Sequence, residues 1–552
     1  MADRFRPSDH QPALPLDRLI LKAEPSEERL EVDVLFVGAG PAGLAGAIQL
    51  AKLVKQDNNA GGDIGEVSIG VLEKASALGE HSLSGAVVDP RTFRELFPDV
   101  SDVDLPLRSP VSQEAVYLLT DRDSRRVPTP PSMRNHGNRV ASICEIVRWL
   151  GERAAELGID VFTGYPAGAL LVEDQRVTGV RTVAAGVDRD GRRTAGYMPP
   201  TDVVAKITAL AEGTRGMLAQ GYFEWQSIGS ENPQIYALGV KELWETRRPL
   251  DKVVHTVGWP LPNDVFGGSF AYPLEPKLVA LGLVVGLDHP YRSLDAHMLL
   301  QQMKLHPLFR ELLEGGEMVE WGAKTIPEGG YYALPERRHG DGIVVLGDAA
   351  GFVDVPSLKG IHYAMQSGLL AARAIFAALK AGDYSAARLA EYDRLVDASY
   401  IRRDLYRTRN MRAAFKRGLY RGAAKAAVMQ LTGGRVFGKR IETGRDADVE
   451  RAPGGATSVA ADGVLTFSKT DAVFRSGNAT RDTIPSHLIL GDAVPLEVAE
   501  FYTHMCPAGV YEADDQELTV NPPNCIDCKA TDVLGPRWMP REGGSGTAYK
   551  RM

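Results

Sequence analysis

Cysteine is almost absent from this chain. Four thiols in 552 residues exclude a disulfide framework and suit a reducing compartment. No uninterrupted apolar run of about 18 residues occurs, so no single helix is built to span a bilayer. Basic residues are outnumbered, 63 Lys and Arg against 71 Asp and Glu, and the net charge of −8 lacks the footprint of a general nucleic-acid binder. The stretch MADRFRPSDHQPALPLDRL has no apolar core of a secretory signal, and Asp3, Asp9 and Asp17 fit poorly with an acid-poor mitochondrial presequence. No Ser-His-Asp elbow, zinc-spaced histidine cluster or internal repeat is present. The remaining composition, 44% hydrophobic and 24% charged, is that of an ordinary globular protein with room for about three or four domains.

Against that background the glycines carry the first signal. Residues 32–37 (VDVLFV) read as a buried parallel strand, followed at once by Gly38-Ala39-Gly40-Pro41-Ala42-Gly43 and an apolar helical stretch to about Val54. In a dinucleotide-binding turn the first glycine permits the tight bend and the second lets the backbone approach a pyrophosphate. The third lets helix and strand pack closely, with phosphates at the helix N-terminus. A second strand, residues 67–72, ends in Glu73, placed for a ribose hydroxyl and delayed by a Gly-, Asn- and Asp-rich loop at 56–66. Far downstream a strand at 343–346 runs into Gly347-Asp348-Ala349-Ala350-Gly351 and a helix from about His362 to Leu379. Alone, Asp348 reads equally well as a helix N-cap. The early GAGPAG paired with the late GDAAG resembles the FAD-binding pattern of the large flavoprotein monooxygenase and reductase group.

Three of the four cysteines fall close together near the end, as Cys506-Pro507, Cys525 and Cys528. A C-x2-C-x2-C run with a distant Cys-Pro is a recurrent iron–sulfur arrangement. A fourth cysteine three residues on would complete the set, and Thr531 stands there instead. Cys144, within an amphipathic helical stretch, reads as a core residue.

With these features in view, the chain resembles the electron transfer flavoprotein–ubiquinone oxidoreductase family over nearly its whole length. The likeness runs through GEHSLSGAVVDP (79–90), MRNHGN (133–138), AEG (211–213), GVKELW (239–244), HTVGWPL (255–261) and GGSF (267–270). It continues through ALGLVVGLD (280–288), EGG (328–330), CPAGVYE (506–512), NCIDCK (524–529) and PREGGSGTAY (540–549). The resemblance implies a monotopic membrane flavoprotein with one FAD and one 4Fe-4S cluster, passing electrons from reduced electron transfer flavoprotein to ubiquinone. It implies peripheral placement on the cytoplasmic face of a bacterial inner membrane and no nucleic-acid partner. FAD would be held by Gly38, Gly40, Gly43, Glu73, Gly347, Asp348, Asp354, Lys359 and Gly360, and the cluster by Cys506, Cys525 and Cys528.

The implied fold is α/β with α+β. It comprises a discontinuous Rossmann-like FAD-binding domain (30–115, 150–235 and 325–385), an interwoven quinone-binding domain (116–149 and 236–325) and a C-terminal ferredoxin-like iron–sulfur domain (466–552). A tail (1–29), basic helices at the membrane surface (386–440) and a linker (441–465) complete the expected division. The segment 255–288 mixes Trp259, Phe266, Phe270 and Tyr272 with glycines; it reads equally as a sheet with an aromatic core or a quinone pocket. Residues 402–425 carry Arg402, Arg403, Arg407, Arg409, Arg412, Lys416, Arg417, Arg421 and Lys425 among Leu405, Tyr406, Phe415, Leu419 and Tyr420. Such a stretch suits docking on anionic lipid, with residues 423–431 in the interface, or else a solvated basic face.

Two departures from the family pattern stand out. Where the family reads C-K-x-C-D, this chain has Cys528-Lys529-Ala530-Thr531-Asp532. The fourth cluster corner is then open to Asp532, Thr531, water or an external ligand; the cluster has three irons; or none forms. Where the family has G-F-x-N-V-P, this chain has Asp354, and Ile361 follows Lys359-Gly360 in place of a threonine. An ionised Asp354 near the flavin would lower its potential, whereas a protonated one would donate a hydrogen bond much as Asn does. Two rival functions stand beside the electron relay: a lipid-reducing FAD enzyme of the prenyl-reductase type, and a non-catalytic membrane-surface flavoprotein with a lost cluster.

Overall fold

The computed structural model describes residues 4–85, 87–514 and 517–552. The first sheet is built on the strand Arg29–Val37, apolar and buried along its second half. It lies parallel to Ile69–Glu73 on one side and Asp202–Leu210 on the other, and Asp160–Thr163 extends the parallel array beyond Ile69–Glu73. Residues buried on both faces read as continuous apolar runs, the mark of a parallel sheet covered by helices. The short strand Ile343–Val345 joins through Thr208 and Leu210, so the two glycine motifs, some 300 residues apart in sequence, leave the same edge of one sheet.

Helix Pro41–Asn59 begins with proline in its first turn, where a missing N–H costs nothing. It continues five residues past the expected end at Val54, since Asn59 less Val54 is five. The tail is secured when Lys380 Nζ donates to Asp57 at 2.7 Å and Asn58 exchanges hydrogen bonds with Gly65. The long helix Ile361–Ala381 lies against it. Contact is backbone to backbone at Gly368, where a Cβ would come within 2.3 Å of the Ala42 carbonyl oxygen.

The second sheet has seven strands in the order Glu317–Pro327, Tyr236–Glu245, Leu278–Gly286, Gly267–Glu275, Val253–Gly258, Glu114–Leu119 and Ser124–Val127. All its pairings are antiparallel except Val253–Gly258 with Glu114–Leu119. Behind it, fully buried Glu242 accepts from Lys304 Nζ, Gln301 Nε2 and Trp244 Nε1. Helix Ile143–Glu156, which crosses the expected domain boundary at 149/150, packs on Pro41–Asn59 in the first layer. Its Cys144 is buried and donates to Ser82 O and Met552 O.

The C-terminal region has little regular structure: helices Lys469–Arg475 and Leu496–Met505, the strand pairs Tyr511–Ala513 with Leu518–Val520 and Leu488–Ile489 with Arg537–Trp538, and the short helix Ala530–Leu534. Apart from the 3-10 turn Asp446–Asp448, residues 441–465 form no helix or strand, and they are anchored. Fully buried Arg451 reaches His289 and the Leu287 carbonyl, and Asp446 accepts the Tyr236 N–H.

Gly43 sets how closely helix and strand approach, because a Cβ there would lie 2.0 Å from the Gly38 carbonyl oxygen. Gly43→Ala is expected to lower stability by roughly 2 kcal/mol or more, as overpacking against rigid backbone does. Thermal unfolding of FAD-loaded protein checks this; an unchanged midpoint would show that the turn can relax.

Candidate functional site

Both glycine motifs open on one cavity of about 1070 Å3. Gly38 turns at φ +107°, and a Cβ there would strike the Ala211 carbonyl oxygen at 2.4 Å. Gly40 is extended, and a Cβ on it would meet nothing within 4 Å, so the backbone faces open space at the helix N-terminus. Glu73 accepts the Ala39 N–H at 3.1 Å and the Ala75 N–H at 2.9 Å, which points its carboxylate along the cavity rim. Gly347, Asp348, Lys359 and Gly360 line the same space from the other side. Burial pushes the Asp348 carboxyl up to about 6, with Lys324 acting against it. Burial likewise pulls the Lys359 ammonium down to about 8, and its Nζ donates to Asn135 Oδ1 at 2.9 Å.

Two expected positions stand apart from the wall. Gly43 acts beneath it, through packing. Asp354 faces away from the cavity: one carboxylate oxygen accepts from Thr408 Oγ1 at 3.1 Å and the other from Ser357 Oγ at 2.5 Å. Burial pushes Asp354 up to about 6 despite those two hydroxyls. It therefore acts on the loop 355–360 that carries Lys359, and does not touch the cavity contents directly.

The cavity continues between the second sheet and the basic segment. Phe266, Phe270 and Tyr272 line it together with Leu419, Tyr420, Ala423, Ala427 and Leu431. Trp259 is elsewhere, packed on the His306 ring. His255 Nε2 and Tyr272 Oη lie 2.6 Å apart on the wall. Burial pulls His255 down to about 3 and pushes the Tyr272 hydroxyl far up, so the pair is neutral at ordinary pH.

The basic stretch divides into short helices, Tyr400–Thr408, Met411–Ala414 and Leu419–Leu431. Arg412, counted in sequence among the lipid-facing cations, turns inward: it is buried, paired with Glu328 at 2.6 Å and Asp288 at 2.8 Å, and lies over Phe266. Arg417 and Arg421 are exposed beside exposed Tyr420, Val428 and Leu431, and Arg435 and Lys439 beside Val436 and Phe437.

Cys506, Cys525 and Cys528 are brought together in the C-terminal core. Burial raises the pKa of each thiol, and for Cys528 the neighbouring Cys506 and Cys525 raise it further. Asp527, between two of them, is buried and held by Lys74, Arg541 and Trp538 Nε1. Lys529, Trp538 and Pro540 reach past this loop to the cavity wall, so the thiol cluster and the dinucleotide cradle are neighbours.

The fit to FAD rests on the cradle itself: two backbone approaches open to the cavity, a helix N-terminus for the pyrophosphate and a carboxylate on either side. Solved structures agree on the class. The geranylgeranyl bacteriochlorophyll reductase-like protein of Thermoplasma acidophilum superposes with a TM-score of 0.55 at 18% identity over 75% of this chain and 93% of its own. The FAD-dependent halogenase CndH gives 0.51 at 20% identity over 76% and 95%. The fold is thus that of the FAD-dependent oxidoreductases. Within that class the sequence is more specific. Residues 236–326 match the family model "ETF-QO, ubiquinone-binding", and residues 463–550 match "Electron transfer flavoprotein-ubiquinone oxidoreductase, 4Fe-4S". The mitochondrial electron transfer flavoprotein–ubiquinone oxidoreductase of Oryza sativa subsp. japonica is 37% identical over 95% of this chain and 94% of its own. A probable bacterial one from Acinetobacter baylyi is 36% identical over 95% and 99%, and the Homo sapiens one 36% over 95% and 89%. The chain belongs to the electron transfer flavoprotein–ubiquinone oxidoreductase family.

Several wall residues were not singled out from sequence. Half-buried Glu212 accepts the Leu218 and Ala219 N–H groups, capping the next helix beside the cradle. Lys324, pulled down to about 8 by burial, donates to the Asp527 carbonyl. Both lie in or near segments quoted for the resemblance, but a lysine inside a strand carries no local sign that it will face a cavity.

A carboxyl raised on folding from 3.8 to about 6 binds its proton more tightly in the native state. The native chain therefore loses stability as pH rises between those values and stays level above them. Asp354→Asn lacks that loss. Its stability advantage over the parent is expected to grow between pH 4 and 6, by roughly 2 kcal/mol, and then remain constant. A pH series of thermal midpoints checks this; an advantage already complete at pH 4 would contradict it.

Proposed function

We propose that this chain takes electrons from reduced electron transfer flavoprotein and delivers them to ubiquinone at a membrane surface. One observation carries the reading: a single cavity joins the dinucleotide cradle at Gly38, Gly40 and Asp348 to an apolar chamber closed by the exposed helix Leu419–Leu431. FAD, when bound, supplies a carrier that accepts electrons singly or in pairs. The chain's own work is to hold and shield it. Gly40 and the helix behind it receive the pyrophosphate, Glu73 a ribose hydroxyl, and Lys359 and Asp348 border the inner part.

Beyond the cradle, Phe266, Phe270, Leu419 and Ala423 offer apolar walls to a prenylated ring and keep water away. His255 and Tyr272 place a neutral hydrogen-bonded pair in that wall, with the proton on Tyr272 Oη retained because burial disfavours the phenolate. The exposed apolar side chains of 420–437, flanked by Arg417, Arg421, Arg435 and Lys439, would seat in the headgroup region of anionic lipid. Among the described residues no helix is long and apolar enough to cross a membrane, and binding is monotopic in this reading. The cytoplasmic face of a bacterial inner membrane is the proposed address.

Likeness to the reductase-like protein at 18% identity extends to the fold alone; the lipid-reducing alternative has no observation of its own in its favour. Turnover of reduced electron transfer flavoprotein with a short-chain ubiquinone is expected, lost on removal of FAD and restored by adding it back. No turnover with FAD fully occupied would sink the proposal. Tyr420→Glu with Leu431→Glu is expected to weaken binding to anionic vesicles about tenfold or more at unchanged FAD content, since each apolar side chain buried is worth ~1.5–3 kcal/mol. Equal vesicle binding by parent and variant would move the lipid contact elsewhere.

A further inference from the structure

A 4Fe-4S cluster takes four protein ligands as a rule, one for each iron. This chain has four cysteines, and Cys144 is excluded: it is in a separate core beneath the second sheet, its thiol on Ser82 O and Met552 O. Three thiols remain, and every oxygen or nitrogen placed to serve as the fourth ligand can be examined in turn.

Thr531 occupies the position three residues after Cys528. Its hydroxyl donates to the Pro536 carbonyl at 3.2 Å and lies 2.6 Å from Tyr511 Oη, which leaves Tyr511 to donate to it. Both hydroxyls are thereby engaged with each other and with the main chain. Asp532 is no freer. One carboxylate oxygen takes Arg215 Nε at 2.8 Å and Gln220 Nε2 at 3.1 Å, and the other takes the Trp538 N–H at 3.3 Å. Pulling this fully buried carboxylate out would strand the Arg215 guanidinium, a change costing several kcal/mol. Asp527 is pinned by Lys74, Arg541 and Trp538.

His487 is the remaining donor. Neither ring nitrogen has a partner, and it lies within 4.8 Å of the Cys525 sulfur and an Asp527 oxygen. The charges that act on its ring are those of Arg541, Asp527, Lys529 and Lys74. His487 shares that closeness with neither Cys506 nor Cys528, whereas the Thr531 corner is bounded by Tyr511 and Pro536.

We propose that the iron–sulfur site of this chain has three thiolate corners, Cys506, Cys525 and Cys528, and a fourth corner at Thr531 that no protein atom among the described residues closes. A four-iron cluster here carries one iron whose outer ligand is water, hydroxide or a small anion. That iron is removable by a one-electron oxidant: the 2+ four-iron core gives up one electron and one ferrous ion and leaves a 1+ three-iron core. Ferrous ion with a thiol reductant reverses the change. The inference rests on the family reading of the C-terminal domain, and its test is independent of turnover.

The test uses the full chain, purified without oxygen and FAD-loaded, treated with ferricyanide, and followed by iron and sulfide content and EPR. The parent is expected to lose about one iron in four and gain an oxidised-state signal, both reversed by ferrous ion and dithiothreitol. Thr531→Cys is expected to keep its four irons through the same treatment. Thr531→Val, which removes the hydroxyl and keeps the shape, is expected to behave as the parent does. Four irons retained by the oxidised parent would overturn the proposal, as would loss of the fourth iron in reduced Thr531→Val or reduced His487→Ala. Absence of iron from both parent and Thr531→Cys would overturn it too. Turnover with electron transfer flavoprotein and quinone, read on the same samples, judges the functional proposal separately. Normal turnover with oxidation-resistant iron removes only the open corner, and a removable iron without turnover removes only the proposed acceptor or donor.

Discussion

One buried carboxylate ties the three parts of the molecule together. Asp527 sits at φ +55° inside the cysteine loop and meets Lys74 at 2.5 Å, Arg541 at 3.1 Å and Trp538 Nε1 at 3.0 Å. Burial works against its charge, yet Arg541 and Lys74 outweigh burial and hold the carboxyl well below the usual range. Lys74 directly follows Glu73, the acid at the end of the second strand of the dinucleotide sheet. The Asp527 main chain takes Lys324, and the Cys528 carbonyl takes the Thr325 N–H at 2.9 Å, both from the edge strand of the second sheet. A charge this deep is stable only while its partners stay in place. The thiol loop is therefore held in register with the FAD cradle and the second sheet together.

Arg412 performs a similar service at the opposite end of the cavity. Its ion pairs with Glu328 and Asp288 anchor the basic helices to the second sheet, leaving the exposed cations and apolar side chains of 417–439 free for a surface. Inside, the cavity is mostly apolar, and burial shifts several of its ionisable groups toward their neutral forms. Asp348 is raised, Lys359 and Lys324 are lowered, and His255 is lowered further.

Much of the site could be read from the chain itself, for local reasons. A glycine needed at φ +107°, or against a carbonyl 2.0 Å from its missing Cβ, is written in the sequence because no other residue fits. The same holds for thiols at short spacing, since three of four cysteines within 23 positions have few other uses. Asp354 was harder. Its place in the flavin motif suggests contact with the cofactor, but Thr408, arriving from a helix some 50 residues later in the chain, supplies a hydroxyl that turns the carboxylate away. Arg412 was misassigned to the surface for the same kind of reason: Glu328 and Asp288 are distant in sequence, and an arginine in a basic run gives no hint of them.

Sequence alone determined the dinucleotide turn, the two-part flavin motif, the clustering of three thiols and the family, because each depends on residue type at close spacing. Tertiary structure decided which charges are buried and with whom, where the cavity runs, and that Thr531 and Asp532 are both engaged elsewhere. Most of these depend on contacts between segments far apart in the chain, and a side chain's partner across such a distance is chosen by packing.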